Sequence, residues 1–331
     1  MKIIVTGCAG MIGCYLTSEL LRIYKKNEGN DIIGIDNLSR GKISNLKDAC
    51  GDNFKDLDFI NSDLTIYSEN WVNKFKKCDL IIHLADVVAG IGYVFSNESY
   101  VFRTNLLINS NVTKAIYEYK PTRYIYVGTV CSFPKELQLS TTSTPLKEED
   151  QFPASPESGY GWSKLMGEIE AGYLAKEKIA DTVILSLHNV YGRYCDYSNS
   201  TGQVIPSLCM RAILSKDNNY ELDIWGDGNQ GRAFVHAKDV VQAIIQSFSK
   251  GANNGVLQIG PSNCTSINCL VDIIITKLNL PIKINYLLDK PVGDIGRCAN
   301  YKKAKMTLGW EPKVNLEEGL QDLIIWLQSI K

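Results

Sequence analysis

Tyr160 and Lys164 stand four residues apart in Tyr160-Gly161-Trp162-Ser163-Lys164, a spacing that brings a phenol and an ammonium to one face of a helix. A free tyrosine ionises near about pH 10, so little phenolate exists at neutral pH. A neighbouring cation stabilises the phenolate and makes it usable as a general base. The same spacing also fits the exposed start of an amphipathic helix, so the pair gains meaning from its company. Thr129 ends the apolar run of Val127-Gly128-Thr129, where its hydroxyl could bond to a reacting alcohol or be an ordinary strand-end group.

That company begins near the N-terminus. Thr6-Gly7-Cys8-Ala9-Gly10-Met11-Ile12-Gly13 follows the first apolar run and opens a helical one. Glycines so placed permit a tight turn and close approach of backbone to a pyrophosphate at the positive end of a helix. Asp36 ends the next strand, where a carboxylate accepts from adenosine ribose hydroxyls and repels a 2′-phosphate, which favours NAD over NADP. Asp36 could instead cap the turn Asp36-Asn37-Leu38-Ser39, and Arg40 lies close enough to leave a phosphorylated cofactor open. Asp63-Leu64, after the third strand, reads as the pair that holds the adenine ring.

The elements that must position these groups alternate. Short β-rich runs at 3–6, 32–35, 59–60, 80–84, 124–127 and 183–187 are separated by longer stretches of helical period. That order predicts an α/β fold with a doubly wound parallel sheet, and near-continuous Val/Ile/Leu strands fit helices on both faces. Beyond Leu187 the alternation loosens, which predicts a smaller second domain from 188–232 and 261–331. A helix at 238–248 and a strand at 255–259 are expected to return to the first domain, residues 1–187, through a segment spanning 233–260.

The chain has 331 residues, 45% of them apolar, enough for a large core. A net charge of -1 lacks the basic excess of a nucleic-acid binder. Neither a secretory leader nor a membrane-length apolar run is seen, so the expected location is cytoplasmic. Ten cysteines are scattered without a CxxC pair, which predicts reduced thiols and no metal site.

Taken together, the glycine motif, Asp36, His83-Leu84-Ala85, Thr129, Tyr160xxxLys164 and Asn189-Val190-Tyr191-Gly192 resemble the extended short-chain dehydrogenases along essentially the whole chain. The resemblance implies a Rossmann-type NAD-binding domain, a smaller C-terminal nucleotide-sugar domain and a homodimer built through 100–119 and 161–177. It places Gly7, Gly10, Met11, Ile12, Gly13, Asn37, Ser39, Arg40, Leu84, Ala85, Asn105 and Val127 at the cofactor. His188 and Val190 would flank the nicotinamide. It also places Gly90, Asn189, Gln230, Arg232 and Arg297 at the substrate, the last three facing the nucleotide diphosphate. Leu308-Gly309-Trp310-Glu311-Pro312 matches a closing motif that serves packing.

Within that family the likeness runs toward GDP-mannose 3,5-epimerases, through His83-Leu84-Ala85-Asp86, Ala89-Gly90-Ile91-Gly92 and Thr129-Val130-Cys131-Ser132-Phe133-Pro134. A GDP-linked manno-type sugar is therefore the expected substrate. The shared first step is oxidation at C4, which acidifies C3–H and C5–H. Dehydratases carry carboxylates directly after the threonine, but Val130 and Cys131 stand there. Epimerases of the 3,5 type pair a cysteine, matched by Cys131, with a lysine, matched by Val204, which cannot exchange a proton. The sequence thus favours a C4 dehydrogenase of a GDP-manno-type sugar, GDP-manno-heptose included, that releases a 4-keto product. A 3,5- or 4-epimerase is the alternative.

Overall fold

The computed structural model describes residues 1–141 and 144–331. Its first half runs β1 (Lys2–Thr6), α1 (Met11–Ile23), β2 (Asp31–Asp36), α2 (Ile43–Cys50), β3 (Leu57–Asn61), α3 (Glu69–Val72) and β4 (Leu80–His83). Then come α4 (Ile91–Ser96), α5 (Glu98–Tyr119), β5 (Arg123–Thr129), α6 (Gly159–Lys176) and β6 (Asp181–Leu187). The rest holds β7 (Asn189–Tyr191), α7 (Val204–Leu214), β8 (Glu221–Trp225), β9 (Gly231–Arg232), β10 (Phe234–His236), α8 (Ala237–Gln246) and β11 (Val256–Ile259). The chain ends through β12 (Thr265–Ser266), α9 (Ile267–Leu278), β13 (Lys283–Leu287), β14 (Gly296–Arg297), α10 (Lys302–Leu308) and α11 (Leu316–Ser329).

The main sheet has seven parallel strands in the order β11-β6-β5-β4-β1-β2-β3. Ile3 and Val5 pack with Leu16, Leu20, Val240 and Ile244 on one face. Ile4 packs with Ile81, Trp71, Val112, Ile116 and Leu174 on the other. Because both faces are covered, successive strand residues are apolar rather than alternating. The expected strands are all present, and the expected returning helix and strand are α8 and β11, the latter paired with β6 at the sheet edge. Trp310 is buried and its Nε1–H donates to the Asp239 carbonyl at 2.8 Å, in keeping with a packing motif.

Chain order reverses between β1 and β4: the chain leaves β1 outward through β2 and β3, then crosses back to β4 on the other side. Loops diverge there and open a crevice at the carboxyl ends of the strands. A separate apolar core, formed by Leu208, Leu222, Ile224, Leu270, Ile274 and Leu323 among others, supports the far wall.

The expectation of ten reduced thiols needs one correction. Cys264 and Cys298 form a disulfide, with Cα atoms 5.4 Å apart. Their spacing of 34 residues carries no signal. The antiparallel β12–β9 pair and the parallel β14–β9 pair bring their segments side by side. Among the described residues, no helix is long and apolar enough to cross a membrane.

Candidate active site

The first turn after β1 is fixed by geometry that few residues tolerate. Gly7 has φ +70°, and a Cβ there would lie 2.8 Å from the Ala85 amide. Gly10 then caps α1 without a side-chain bond to the first amides, and no acidic residue stands in the first turn. Free N–H groups at the positive end of the helix therefore face the crevice, a setting suited to a pyrophosphate.

Asp36 caps the turn, as one of its two readings has it, and lines the cleft. Its Oδ2 accepts from the Ala9 amide at 2.9 Å and its Oδ1 from the Leu38 amide at 2.8 Å, so it clamps the glycine turn while lining the cleft. Burial raises its pKa and these two amides oppose the rise. Arg40 turns away from it: Nε lies 3.3 Å from Asp196 Oδ2 and NH2 donates to the Thr201 carbonyl at 3.0 Å. Asp63 holds its own turn through the Thr65 amide at 2.8 Å.

One cleft of about 1280 Å³ runs from this turn across the end of β5 to Gln230, Arg232 and Arg297. Every residue expected at cofactor or substrate lines it except Asn105 and Lys164. Those two stand behind the wall, 1% and 3% exposed. Asn105 braces the loop after β4, accepting from the Val87 amide at 2.6 Å and donating to the Val87 carbonyl at 3.2 Å. His188 is buried, hydrogen-bonded through Nε2 to Gln258 at 3.0 Å, with Nδ1 unpartnered among the described residues. Burial lowers its pKa to about 3, so the ring is neutral.

Ser158 caps α6 by accepting from the Gly161 amide at 3.3 Å, and the helix then presents Tyr160, Lys164 and Glu168 one turn apart. Tyr160 stands near Thr129 on the cleft wall, and the Thr129 hydroxyl favours its phenolate. Tyr160 Oη donates to Asp86 Oδ2 at 3.3 Å, and Lys164 Nζ lies 3.2 Å from the same oxygen. Burial foremost, then the charges of Asp86 and Cys131, raise the Tyr160 pKa well above its ordinary value, while the Thr129 hydroxyl lowers it. One turn further, buried Glu168 accepts from the Thr129 amide at 3.3 Å, from Ser132 Oγ and from Gln151 Nε2.

At the far end, Arg232 and Arg297 are buried side chains lining the same cleft, 8% and 7% exposed. Arg297 NH1 pairs with Asp294 at 2.6 Å, whereas Arg232 bonds only to the Gly231 and Val292 carbonyls among the described residues. Burial, then the Arg297 charge, lowers Arg232 to about 10. Asp294 and Glu157 both face these two cations, and the guanidiniums line a cleft that can take an anion. Cys131 lines the cleft between the two regions and favours the charged form of Arg297. Val204 begins α7 on the cleft wall.

Comparison with known proteins agrees with this geometry. Residues 3–260 match the profile of the NAD dependent epimerase/dehydratase family. The chain belongs to that family. It is accordingly an NAD-dependent enzyme of nucleotide-sugar chemistry, with the Rossmann-type fold that the sequence predicts. GDP-mannose 3,5-epimerase of Arabidopsis thaliana is 27% identical over 329 residues, covering 99% of this chain and 82% of the relative. The crystal structure of UDP-glucose 4-epimerase from Thermotoga maritima with UDP-glucose superimposes with a TM-score of 0.86 at 26% identity, covering 100% of this chain and 99% of that one. UDP-N-acetylglucosamine 4-epimerase from Methanobrevibacter ruminantium M1, in complex with UDP-N-acetylmuramic acid, gives 0.83 at 25%, covering 100% and 99%.

Motif reading of this family member missed Asp86 and Glu168. Asp86 was in view as the end of the His83-Leu84-Ala85-Asp86 run, without a role. Glu168 could have been found from its period: an acid eight residues after Tyr160 and four after Lys164 falls on the face of α6 that meets β5.

Proposed function

We propose that the protein is a nucleotide-sugar epimerase that works through a 4-keto intermediate. The observation that carries this reading is the meeting of Thr129 and Tyr160 on a cleft whose other end holds the buried arginines Arg232 and Arg297. Residues 1–187 with 233–260 are the NAD-binding part, and 188–232 with 261–331 the sugar-nucleotide part. Gly7, Gly10 and Gly13 with the open start of α1 hold the pyrophosphate of NAD, and Asp36 its adenosine ribose. Bound NAD supplies the hydride acceptor for C4. Thr129 orients the C4 hydroxyl, Tyr160 takes its proton, and Lys164 holds the positive charge that favours the phenolate. Arg232, Arg297 and Gln230 take the diphosphate, with a GDP-linked sugar preferred.

The 4-epimerase relatives support return of the ketone to an alcohol over release of the ketone. Inversion at C4 needs no second proton carrier, because the ring can present its other face to the same groups. Inversion at C3 and C5 does need one, and the cleft offers Cys131 with Val204 where a lysine would be required. For a GDP-manno-type substrate, that missing carrier favours a second reading, the C4 dehydrogenase that stops at the ketone. The pair of α5 and α6, with Tyr100, Leu107, Tyr117, Trp162 and Tyr173 exposed on it, is proposed as a homodimer face.

Incubation with GDP- and UDP-sugars in deuterated water, read by NMR, tests the reading. A C4-inverted sugar with no carbon-bound deuterium is the expected product, because the hydrogen returned to C4 is the hydride that the sugar itself gave up. Deuterium at C3 or C5 would instead mean enolisation, accumulating ketone would mean a dehydrogenase, and no conversion of any nucleotide sugar would refute both readings.

A further inference from the structure

We propose that Asp86 is a positioning residue of the Tyr160–Lys164 site, an acceptor shared by both side chains that sets the pH at which Tyr160 serves as a base. The proposal rests on the C4 oxidation assigned above and concerns a residue that this chemistry leaves unused.

The location of Asp86 is built, not incidental. On its N-terminal side the Leu84 and Ala85 amides donate to Thr6 Oγ1 at 3.2 and 3.3 Å. On its C-terminal side Val87 is held through both its amide and its carbonyl by buried Asn105, at 2.6 and 3.2 Å. With both neighbours pinned, the side chain is delivered to α6, where a single oxygen, Oδ2, meets Tyr160 Oη at 3.3 Å and Lys164 Nζ at 3.2 Å. The Asp86 side chain is only 14% exposed and that of Lys164 4%, so water screens the triangle weakly.

A carboxylate only accepts hydrogen bonds, so Tyr160 must be protonated while it donates to Asp86. Asp86 also offsets the Lys164 charge that would otherwise favour the phenolate. The other groups facing the triangle are Tyr126 and Thr129 on β5, Cys131 just after it, His83 on β4, and Glu168 on α6. His83 is neutral, its pKa lowered to about 3 by burial and then by Lys164. Tyr126 is raised well above its ordinary value by burial, then by Glu168 and Asp86, and stays a phenol. Thr129 is uncharged. Among the charged groups around Tyr160, Asp86 raises its pKa most, ahead of Cys131.

The test reads Tyr160 itself. Protein labelled with ¹³C at tyrosine Cζ, saturated with NAD and without sugar, is titrated by NMR, the Tyr160 signal being the one missing from Tyr160→Phe. In Asp86→Asn, which keeps the shape and one acceptor, the phenolate signal should appear at least about one pH unit below wild type, the size expected for loss of a close charge. In Lys164→Met it should move the other way. If Asp86→Asn does not fold, Asp86→Ser gives the same comparison. An unmoved or upward midpoint in the Asp86 variant overturns the proposal. A merely structural role would change line widths or NAD affinity and leave the midpoint in place. Because no sugar is present, failure of the epimerase reading would show as unconverted nucleotide sugars and leave this titration unaffected.

Discussion

Replacing Glu168 by glutamine removes one ionisation and keeps the volume of the side chain. Glu168 is 3% exposed, under the end of β5, where its carboxyl accepts from the Thr129 amide, Ser132 and Gln151. A Cβ on Gly128 would collide with it, so the glycine leaves the space that the carboxyl fills. Burial raises its pKa from 4.5 to about 7, against the pull of Gln151, Lys164, Thr129 and Ser132. That displacement corresponds to about 3 kcal/mol, at roughly 1.4 kcal/mol per pH unit. The folded protein then holds this proton more tightly than the unfolded chain does. The stabilisation is complete below the unfolded value near 4.5, declines as pH rises, and is lost above about 7. Glutamine stays neutral throughout. In urea unfolding between about pH 5 and about pH 8, wild type should therefore lose on the order of 3 kcal/mol more than Glu168→Gln does. A difference between the two proteins that is flat with pH would refute the assignment of a neutral, buried carboxyl at the bottom of that range.

Tyr160→Phe should lower single-turnover C4 oxidation by about 10² to 10⁴ while NAD still binds, and near-normal turnover would remove Tyr160 from its role as base. Wild type should bind NAD more tightly than NADP in titrations, because Asp36 is the residue proposed for the adenosine ribose and Arg40 is tied to Asp196 and Thr201; equal or tighter NADP binding would contradict this. Cys131→Ala should leave C4 oxidation within several-fold of wild type, since inversion or oxidation at C4 asks no proton of it. A 3- or 5-inverted sugar that disappears in this variant would make the enzyme a 3,5-epimerase with a proton carrier other than Val204. Light scattering at micromolar concentration should give the mass of a dimer, and monomer alone would dismiss the α5–α6 face.

What the sequence discloses and what it hides divide along contiguity. Ile3-Ile4-Val5 or Ile81-Ile82 can be read as strands because burial on both sides writes the same apolar run wherever a parallel strand lies. Gly7 to Gly13 and Tyr160 to Lys164 are legible for a related reason, since a turn and a helix bring their residues together without help from the rest of the chain. The two-residue strands β9, β12 and β14 have no period to detect and exist only because distant segments pair there. Arg232 and Arg297 reach one cleft through that ribbon, and Cys264 meets Cys298 beside it. Asp86 and Glu168 are harder still. An aspartate after a strand and a glutamate within a helix are ordinary surface residues by type, and what sets these two apart is removal from water next to Lys164. Lys164 meets Asp86 on the crevice side, while Glu168 lies a turn deeper beneath Thr129. Two acids thus stand beside the proposed base and the proposed alcohol-binding threonine, Asp86 at the end of a motif that gives it no role and Glu168 outside every motif. If the Asp86 and Glu168 variants alter the pH responses as argued, the working pH range of this enzyme is set by that pair as much as by the Tyr160–Lys164 motif that reveals its family.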